Sequence, residues 1–332
     1  MQSLTQDIFR IISGIAFILS AFIAGPGCQA VSPYHSGDGN NLPDSSPDLS
    51  GYTLPLPEVP LVLTTPQERA AFVAAHYWDG MDWNDRRLLG NERFMGESMA
   101  TYATLLGITP REKGMDCIAE LVNSIGTDPL ALNTLADYAY SYLYLPESPL
   151  YDEELYLMFV NPLLAQPGLL EENHERLDKY KTDILKNRVG NIATDFTFIG
   201  TDGQSHDLLS LSPKASLRVL IFYAPGCDKC DEAFEIIKRS EAFSIAEARG
   251  EVSVIAINPF GQNNPGPAMI KPGMPKSWIV GYSPEGALDS DETYIIRSTP
   301  AIYILDRNGT ILQKNLSLDR LKEFLNSPLQ TE

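Results

Sequence analysis

The sequence predicts two folded domains in series, an all-helical domain followed by an α/β domain. Between residues 64 and 188, apolar residues recur at helical spacing behind helix-start signatures. From Val189 onward, short apolar runs of strand length alternate with helical stretches, which is the pattern of an α/β domain. One of these strands leads directly into a Cys-x-x-Cys pair at the start of a helix. A length of 332 residues accommodates two domains of ordinary size.

The helical domain begins with a local helix-start signature. Thr65 stands at the N-cap, Pro66 at the first helical position, and Glu68 where its carboxylate can bond back to the cap. The same pattern recurs at residues 109–112 and predicts a second helix start there. Further helices are predicted near residues 92–106, 129–145, 151–165 and 169–187.

Aromatic residues are dense at two places in this domain. Tyrosines at alternate positions from Tyr138 to Tyr144 have strand spacing, although the surrounding apolar residues favour a helix. The run from His76 to Trp83 is interpreted as packing at a helix end rather than as a ligand surface, because aromatic side chains dominate protein cores. Residues 64–188 therefore form a helical domain to which the sequence assigns no role.

The second domain, residues 189–332, has the alternation of an α/β fold. Asn308-Gly309 favours a hairpin turn between its last two strands. A Pro-, Gly- and Asn-rich insertion occupies residues 259–275. Strands are predicted at 196–199, 217–223, 251–258, 278–281, 301–305 and 310–313, and helices at about 229–247 and 317–326.

The Cys-x-x-Cys pair, Cys227 and Cys230, is the most informative motif. The strand 217–223 ends in a short turn, and Cys227 then opens a helix. Unpaired backbone N–H groups and the helix dipole at that position favour a thiolate, which is the form that attacks disulfides. The motif therefore predicts thiol–disulfide exchange.

Composition excludes several other functions. The formal net charge of −18 repels phosphate, so no nucleic-acid partner is expected. Four cysteines are too few for a disulfide scaffold. The four histidines are scattered, and a single Cys-x-x-Cys cannot complete a zinc site, so we expect no metal and no cofactor other than the cysteine pair itself.

The N-terminus carries a targeting signal. Residues 11–24 form an apolar core of signal-peptide length, followed by small residues and Cys28. This arrangement resembles the lipobox of bacterial lipoproteins, in which the Cys becomes the lipidated first residue. The resemblance implies a signal peptide over 1–27, a lipid on Cys28 and a tether over 28–63 that is rich in Pro, Ser and Gly. An ordinary secretory signal or an uncleaved anchor is the alternative; each places the chain outside the cytoplasm.

Residues 189–332 resemble the thioredoxin fold, in its periplasmic thioredoxin-like and peroxiredoxin-like branch. Four motifs match in order: Gly190–Phe196 (GNIATDF), Phe222–Cys230 (FYAPGCDKC), Ser298–Pro300 (STP) before an apolar strand, and Asp306–Gly309 (DRNG). Together with the signal segment and the helical domain, they resemble a group of thioredoxin-like lipoproteins whose helical domain has no defined role.

The resemblance implies roles for individual residues. Cys227 is the expected nucleophile, and Cys230 the resolving thiol that attacks the mixed disulfide. The Thr299-Pro300 bond is expected to be cis, which exposes the Thr299 backbone to an extended substrate segment. Expected substrates are extracytoplasmic protein thiols and disulfides, or a partner thioredoxin-like protein. Tyr223 also belongs to the expected substrate-binding residues.

Pro225 in the active-site turn completes this predicted substrate-binding set. Two positions depart from the family pattern. Ile221 stands where many thioredoxins have a buried Asp, and Ala233 where cytochrome-maturation reductases have a Glu. The departures leave the efficiency and direction of exchange open, with a reductase favoured by analogy.

Cys117, in a predicted helix, is interpreted as a buried and inert thiol.

Two other functions compete with the oxidoreductase. In the first, the domain is a binding scaffold in which the Cys227–Cys230 disulfide only fixes the start of the helix. In the second, suggested by the opening motif, the protein reduces peroxides. Peroxidatic sites need Thr and Arg near the Cys, and residues 223–230 contain neither, so the second alternative is disfavoured.

Overall fold

The structure is a computed structural model that describes residues 51–211, 215–261, 274–290 and 292–326. The predicted signal peptide, Cys28 and most of the tether lie outside the described residues, as does most of the insertion predicted over 259–275. The chain divides into two compact units between Lys181 and Thr182. The boundary at 188/189 stays a prediction. Each unit is described separately below.

The first unit is built from helices. Those in the described residues are α1 (Pro66–His76), α2 (Arg86–Leu89), α3 (Glu92–Ile108), α4 (Arg111–Ile125), α5 (Pro129–Leu143), α6 (Glu153–Leu164) and α7 (Glu171–Leu185), the last of which continues past the boundary. None of the described helices is both long and apolar enough to cross a membrane.

The two predicted helix-start signatures have different outcomes. At α1 the capping box is confirmed: the Thr65 hydroxyl accepts the Glu68 N–H at 3.2 Å, and the Glu68 carboxylate accepts the Thr65 N–H at 3.0 Å. At α4 the helix start is confirmed, since the helix begins at Arg111, but the cap is not: Pro110 is the N-cap and no side chain caps the helix. The Thr109 hydroxyl instead donates to the Leu105 carbonyl at 2.8 Å, within the end of the preceding helix.

Three of the alternating tyrosines lie on one continuous helix, α5, and the fourth, Tyr144, is its C-cap. Residues four apart share a helix face, so the alternation resolves into two pairs on different faces. The ring centroids of Tyr138 and Tyr142 are 6.3 Å apart, and those of Tyr140 and Tyr144 are 6.1 Å apart. Tyr144 also stacks on Tyr156 of α6, with centroids 4.7 Å apart. The tyrosines therefore join helices rather than mark a strand.

The aromatic run after α1 is packed as predicted. Tyr77, Trp78 and Trp83 are all buried. His76 and Asp79 remain at the surface, where the His76 Nδ1 lies 2.9 Å from the Asp79 carboxylate. The run thus closes the end of α1 against the core.

Among its described residues, the second unit contains one mixed sheet of seven strands. In chain order they are β1 (Thr197–Gly200), β2 (Ser205–Asp207), β3 (Leu217–Phe222), β4 (Val252–Asn258), β5 (Ile279–Tyr282), β6 (Ala301–Asp306) and β7 (Ile311–Gln313). Their order across the sheet is β2-β1-β5-β4-β3-β6-β7. Strands β3, β4 and β5 run parallel, whereas β6 pairs antiparallel with β3. The carboxyl ends of β3 and β4 therefore lie at the same edge.

Helices α8 (Asp228–Arg239), α9 (Glu241–Ala248), α10 (Ala287–Ser290) and α11 (Leu318–Asn326) complete this unit. A single helix over 229–247 was expected, and that expectation is wrong. Ser240 has extended backbone angles and ends α8, and its hydroxyl accepts the Phe243 N–H at 3.3 Å to cap α9. The sequence also gave no indication of β2, whose three residues pair with β1.

The sheet has a buried cluster of side chains on each face. All six residues of β3 are buried, as expected for the central strand of a sheet covered on both faces. Val219 and Ile221 belong to the cluster that also contains Cys230, while Leu220 and Phe222 belong to the other. The first cluster is the floor beneath the cysteine pair.

Candidate thiol–disulfide site

The cysteine pair lies where β3 ends and α8 begins. The chain leaves the sheet at Phe222 and turns through Gly226, whose φ of +81° is a conformation that glycine adopts without strain. Cys227 then takes extended angles as the N-cap of α8, and Cys230 follows within the first turn. The local sequence thus places both sulfurs at a helix N-terminus.

Cys227 and Cys230 form a disulfide, with Cα atoms 5.3 Å apart. The two cysteines differ in environment: Cys227 is half-buried, whereas Cys230 is fully buried. The backbone N–H of Cys230 donates to the Cys227 Sγ at 3.1 Å, as an N-cap side chain accepts from the helix. The half-buried sulfur is therefore the one that accepts a hydrogen bond at the helix N-terminus.

The Thr299–Pro300 peptide bond is cis and lies beside this sulfur. Because Ala301 pairs with Phe222 in the register of β6 on β3, the Thr299–Pro300 segment meets the turn that carries the cysteines. The Thr299 carbonyl oxygen is 3.4 Å from the Cys227 Sγ, and the Thr299 hydroxyl donates to the same sulfur at 3.5 Å. The structure thus brings Thr299 and Pro300 beside Cys227, although Thr299 and Cys227 are 72 positions apart in the sequence.

The two predicted substrate-binding residues next to the cysteine pair, Pro225 and Tyr223, differ in exposure. Pro225 is exposed beside the cysteine pair. Tyr223 is fully buried, packs edge-on against Phe234 at 5.7 Å between centroids, and has its pKa raised to about 12 by burial. The side chain that follows β3 thus lies in the core and offers no exposed surface to a protein substrate.

The floor of the site is apolar. Ile221 and Ala256 are register partners on β3 and β4, and both are fully buried in the cluster that contains Cys230. Ala233 of α8 belongs to the same cluster and is also fully buried. The two positions that depart from the family pattern thus supply alkyl groups and no carboxylate.

Three comparisons with known proteins bear on the whole chain. The model of a family described as a domain of unknown function (DUF5106) matches residues 31–187. A crystal structure of a thioredoxin-like protein from Bacteroides caccae matches with 26% identity and a TM-score of 0.76, covering 82% of this chain and 98% of that one. No curated protein matches the chain.

Shorter matches cover about two fifths of the chain. A conserved protein of unknown function from Bacteroides fragilis has 32% identity and a TM-score of 0.38, over 42% of this chain and 98% of that one. The thioredoxin domain of a thiol-disulfide oxidoreductase from Bacteroides vulgatus has 20% identity and a TM-score of 0.35, over 41% and 94%.

The B. caccae protein that this chain matches is thioredoxin-like. The C-terminal domain is thioredoxin-like. The helical unit that precedes it carries the match to the family of unknown function. Because 82% coverage exceeds either unit alone, the B. caccae similarity extends over parts of both units.

The rim of the thioredoxin-like site carries charges of both signs. Asp228, Lys229, Asp231 and Glu232 are all exposed on the first turns of α8. The Glu232 carboxylate lies 3.9 Å from the ammonium group of Lys322 on α11. Within the described part of the chain, no group of three His, Cys, Asp or Glu side chains is arranged to hold a metal ion.

The remaining described cysteine, Cys117, lies in the helical unit. It is buried on α4 and carries no disulfide. Burial raises the pKa of its thiol to about 11. At neutral pH this thiol is protonated and enclosed, which makes it a poor nucleophile.

One functional contact had no signal in the sequence. The resemblance assigned a role to the Thr299 backbone, but the donation from its hydroxyl to the Cys227 Sγ was not anticipated. The contact joins residues 72 positions apart, so no local pattern reports it.

Proposed function

We propose that this protein is a thiol–disulfide oxidoreductase that exchanges disulfides in extracytoplasmic proteins through Cys227 and Cys230. The observation that supports this most is the asymmetry of the pair. One sulfur is accessible and receives hydrogen bonds at a helix N-terminus, while the other is fully buried within bonding distance. A disulfide that only fixed the helix start does not require an accessible sulfur beside a cis proline.

The exchange balances as two successive displacements. In the reduced protein, the Cys227 thiolate attacks a substrate disulfide and one substrate sulfur leaves as a thiolate. The Cys230 thiolate then attacks the Cys227 Sγ, forms the intramolecular disulfide and releases the second substrate sulfur. The cysteine pair loses two electrons, and the substrate disulfide gains them. Oxidation of a substrate dithiol is the reverse sequence.

Several residues of this chain support those steps. The Cys230 N–H and the Thr299 hydroxyl stabilise negative charge on the Cys227 sulfur. The half-buried Thr299–Pro300 segment offers backbone to an extended substrate strand next to that sulfur. Pro225, two residues before Cys227, is exposed and can contact the substrate.

We further propose that the protein is anchored to a bacterial membrane by a lipid on Cys28. The apolar segment 11–24 and Cys28 support a lipoprotein signal, and the tether 28–63 holds the folded units away from the lipid. Radiolabelled palmitate is expected to enter the wild-type protein and not a Cys28→Ser variant. Equal labelling of the two would contradict lipidation of this cysteine.

The reduction potential of the Cys227–Cys230 pair tests the enzymatic proposal. Thiol trapping across a graded dithiol buffer gives the value, with Cys117→Ala as the background so that only the pair titrates. A potential near or below about −250 mV supports the favoured reductase, and one near −120 mV an oxidant. A pair that does not cycle contradicts the proposal and leaves the scaffold function.

Trapping of substrates provides the second test. A Cys230→Ala variant is expected to accumulate mixed disulfides through Cys227 in cell envelopes, whereas Cys227→Ala is the matched control that forms none. Equal adducts from the two variants would show that Cys227 is not the attacking residue.

A further inference from the structure

The chain makes a tight turn just before α1, and apolar side chains form its tip. The Leu63 N–H donates to the Pro60 carbonyl at 3.1 Å, which places Leu61 and Val62 at the two corners of the turn. Their side chains are 95% and 80% exposed, the largest values among the large apolar residues that the structure describes. Turn corners are ordinarily occupied by Gly, Pro, Asn, Asp or Ser. An exposed Leu-Val pair at this position therefore indicates a partner that covers it.

The turn is fixed to the folded helical unit. The guanidinium group of Arg69 on α1 donates to the Leu63 carbonyl at 3.0 Å, at the base of the turn. Earlier in the chain, Leu54 is buried and the Tyr52 ring packs on Phe94, with centroids 5.1 Å apart. Contacts on both sides of the turn thus hold its apolar tip at a defined place on this unit.

The segment that leads into the turn is suited to an apolar environment. Residues 55–63, PLPEVPLVL, contain one charged residue, Glu58, in a chain whose net charge is −18. Three of them are prolines, which have no backbone N–H to leave unpaired outside water. Leu63 has both backbone groups paired, its N–H with Pro60 and its carbonyl with Arg69. Because unpaired N–H and C=O groups are costly in lipid, this segment enters a bilayer surface at low cost.

The proposed lipid on Cys28 keeps this segment close to a membrane. The described chain begins at Gly51, shortly before the turn. Residues 29–50 separate Cys28 from Gly51 and can span at most about 75 Å. Tethering makes contact of the turn with the bilayer an intramolecular event at high effective concentration, an advantage that a soluble partner lacks.

We infer that Leu61 and Val62 insert into the interfacial layer of the membrane to which the protein is anchored, so that the helical unit rests on the bilayer. The inference rests on the lipid anchor of the proposed function and gives the helical unit a second contact with lipid. Apolar side chains that reach the boundary between headgroups and acyl chains gain free energy by leaving water. Zwitterionic lipid is the favoured surface, because anionic headgroups repel the acidic chain.

Quenching of a fluorophore by spin-labelled lipid tests this contact. The full-length lipidated protein carries Cys117→Ala and Val62→Cys with the Cys227–Cys230 disulfide intact, so that one thiol accepts an NBD fluorophore. It is reconstituted in phosphatidylcholine vesicles whose acyl chains bear a nitroxide near the headgroup. The matched control places the label by Asp79→Cys, because Asp79 is exposed on the same unit. Asp79 lies beyond the far end of α1, a helix about 16 Å long.

The label at position 62 is expected to be quenched at least about twofold more than the label at position 79, because interfacial side chains lie about 5–10 Å deep. Leu61→Ser supplies a residue that turns accept and removes one of the two apolar side chains of the tip. It should shift the quenching at position 62 toward the control value. Equal quenching of the two labels, or quenching at position 62 that Leu61→Ser leaves unchanged, overturns the inference.

Flotation of the same vesicles distinguishes failure of this inference from failure of the proposed function. Protein that does not float with the vesicles contradicts the lipid anchor, and the inference falls with it. Protein that floats while the label at position 62 brightens without quenching, and more so at higher protein density, has a second copy on the turn. That outcome overturns the inference and leaves the anchor intact.

Discussion

Two donors meet at the Cys227 sulfur, and only one of them is a side chain. The Cys230 N–H at 3.1 Å belongs to the helix and cannot be removed by substitution, whereas the Thr299 hydroxyl at 3.5 Å can. Thr299→Val keeps the shape of the residue and deletes the donor. We expect the pKa of the Cys227 thiol to rise and its attack on disulfides below that pKa to slow by about two- to tenfold, the effect of about 0.5–1.5 kcal/mol for one hydrogen bond.

The ultraviolet absorbance of the thiolate in a Cys230→Ala background measures this pKa. Thr299→Ser restores a hydroxyl and is expected to return the pKa toward the wild-type value. If valine and serine at position 299 give the same titration curve, the hydroxyl has no part in activating Cys227.

Cys117 is expected to stay silent in the folded protein. Its pKa of about 11, raised first by burial, leaves a thiolate fraction of about 0.001 at pH 8. A Cys227→Ala/Cys230→Ala protein should release almost no coloured thiolate from Ellman's reagent until denaturant is added, and then react fully. Rapid reaction of the native double variant would make Cys117 a candidate third redox residue.

Helix α5 begins at a residue that serves two functions. Asp128 caps the helix by accepting the Ala131 N–H at 2.9 Å and also accepts from the Arg86 guanidinium of α2 at 2.8 Å. Asp128→Ala removes both and should destabilise the helical unit by about 1–2 kcal/mol. Asp128→Asn keeps the cap and loses only a partly exposed ion pair with Arg86. It is therefore expected to lower the free energy of unfolding at pH 7 by no more than about 1 kcal/mol.

The pH dependence of the Asp128→Asn effect has a defined sign. The side-chain hydrogen bond from Arg86 lowers the pKa of Asp128 from 3.8 to about 2. Stability gained from ionised Asp128 is therefore present above about pH 4 and is lost as the pH falls through 2. Urea midpoints of the two proteins should converge between pH 5 and 2. A Trp278→Phe substitution in both proteins confines the tryptophan fluorescence to Trp78 and Trp83 of the helical unit. A difference between the two urea midpoints that widens in acid would contradict this assignment.

At the scale of elements, local signals were predictable and long-range choices were not. The capping box at Thr65 involves residues three apart, so four letters of sequence specify it. Thr109 opens the same pattern, Thr-Pro-x-Glu, but its hydroxyl donates to a carbonyl of the helix before it. The break at Ser240 was missed because serine interrupts a helix only when its backbone turns to cap the next one. Strand β2 exists because β1 offers it a partner.

The same division holds within the site. The position of the cysteines at a helix start follows from adjacent residues, and the structure has them there. The contact with Thr299 spans 72 positions and was reached only through a resemblance to a known fold. Tyr223 follows β3 with its side chain buried in the core, and sequence order alone does not say which way that side chain points.

At the scale of the whole molecule, the described chemistry is confined to one unit. The cysteine pair, the cis proline and the apolar floor all belong to residues 182–332, while the first unit holds the stacked tyrosines and the enclosed Cys117. The acidic charge of the full chain, −18, acts at longer range and is screened by salt. The thiol–disulfide equilibrium should therefore be set within the second unit.

This confinement predicts that residues 182–332, expressed alone, keep the redox equilibrium of the whole protein. The hydrogen-bond donors described at the Cys227 sulfur, the Cys230 N–H and the Thr299 hydroxyl, lie in this unit. The equilibrium constant of the pair against dithiothreitol is expected to agree between fragment and full chain within about twofold, or about 0.4 kcal/mol. Circular dichroism must first show that the fragment is folded. A folded fragment whose constant differs by more than about fivefold, or about 1 kcal/mol, would instead make the helical unit a contributor to the potential of the pair, through charge or through direct contact.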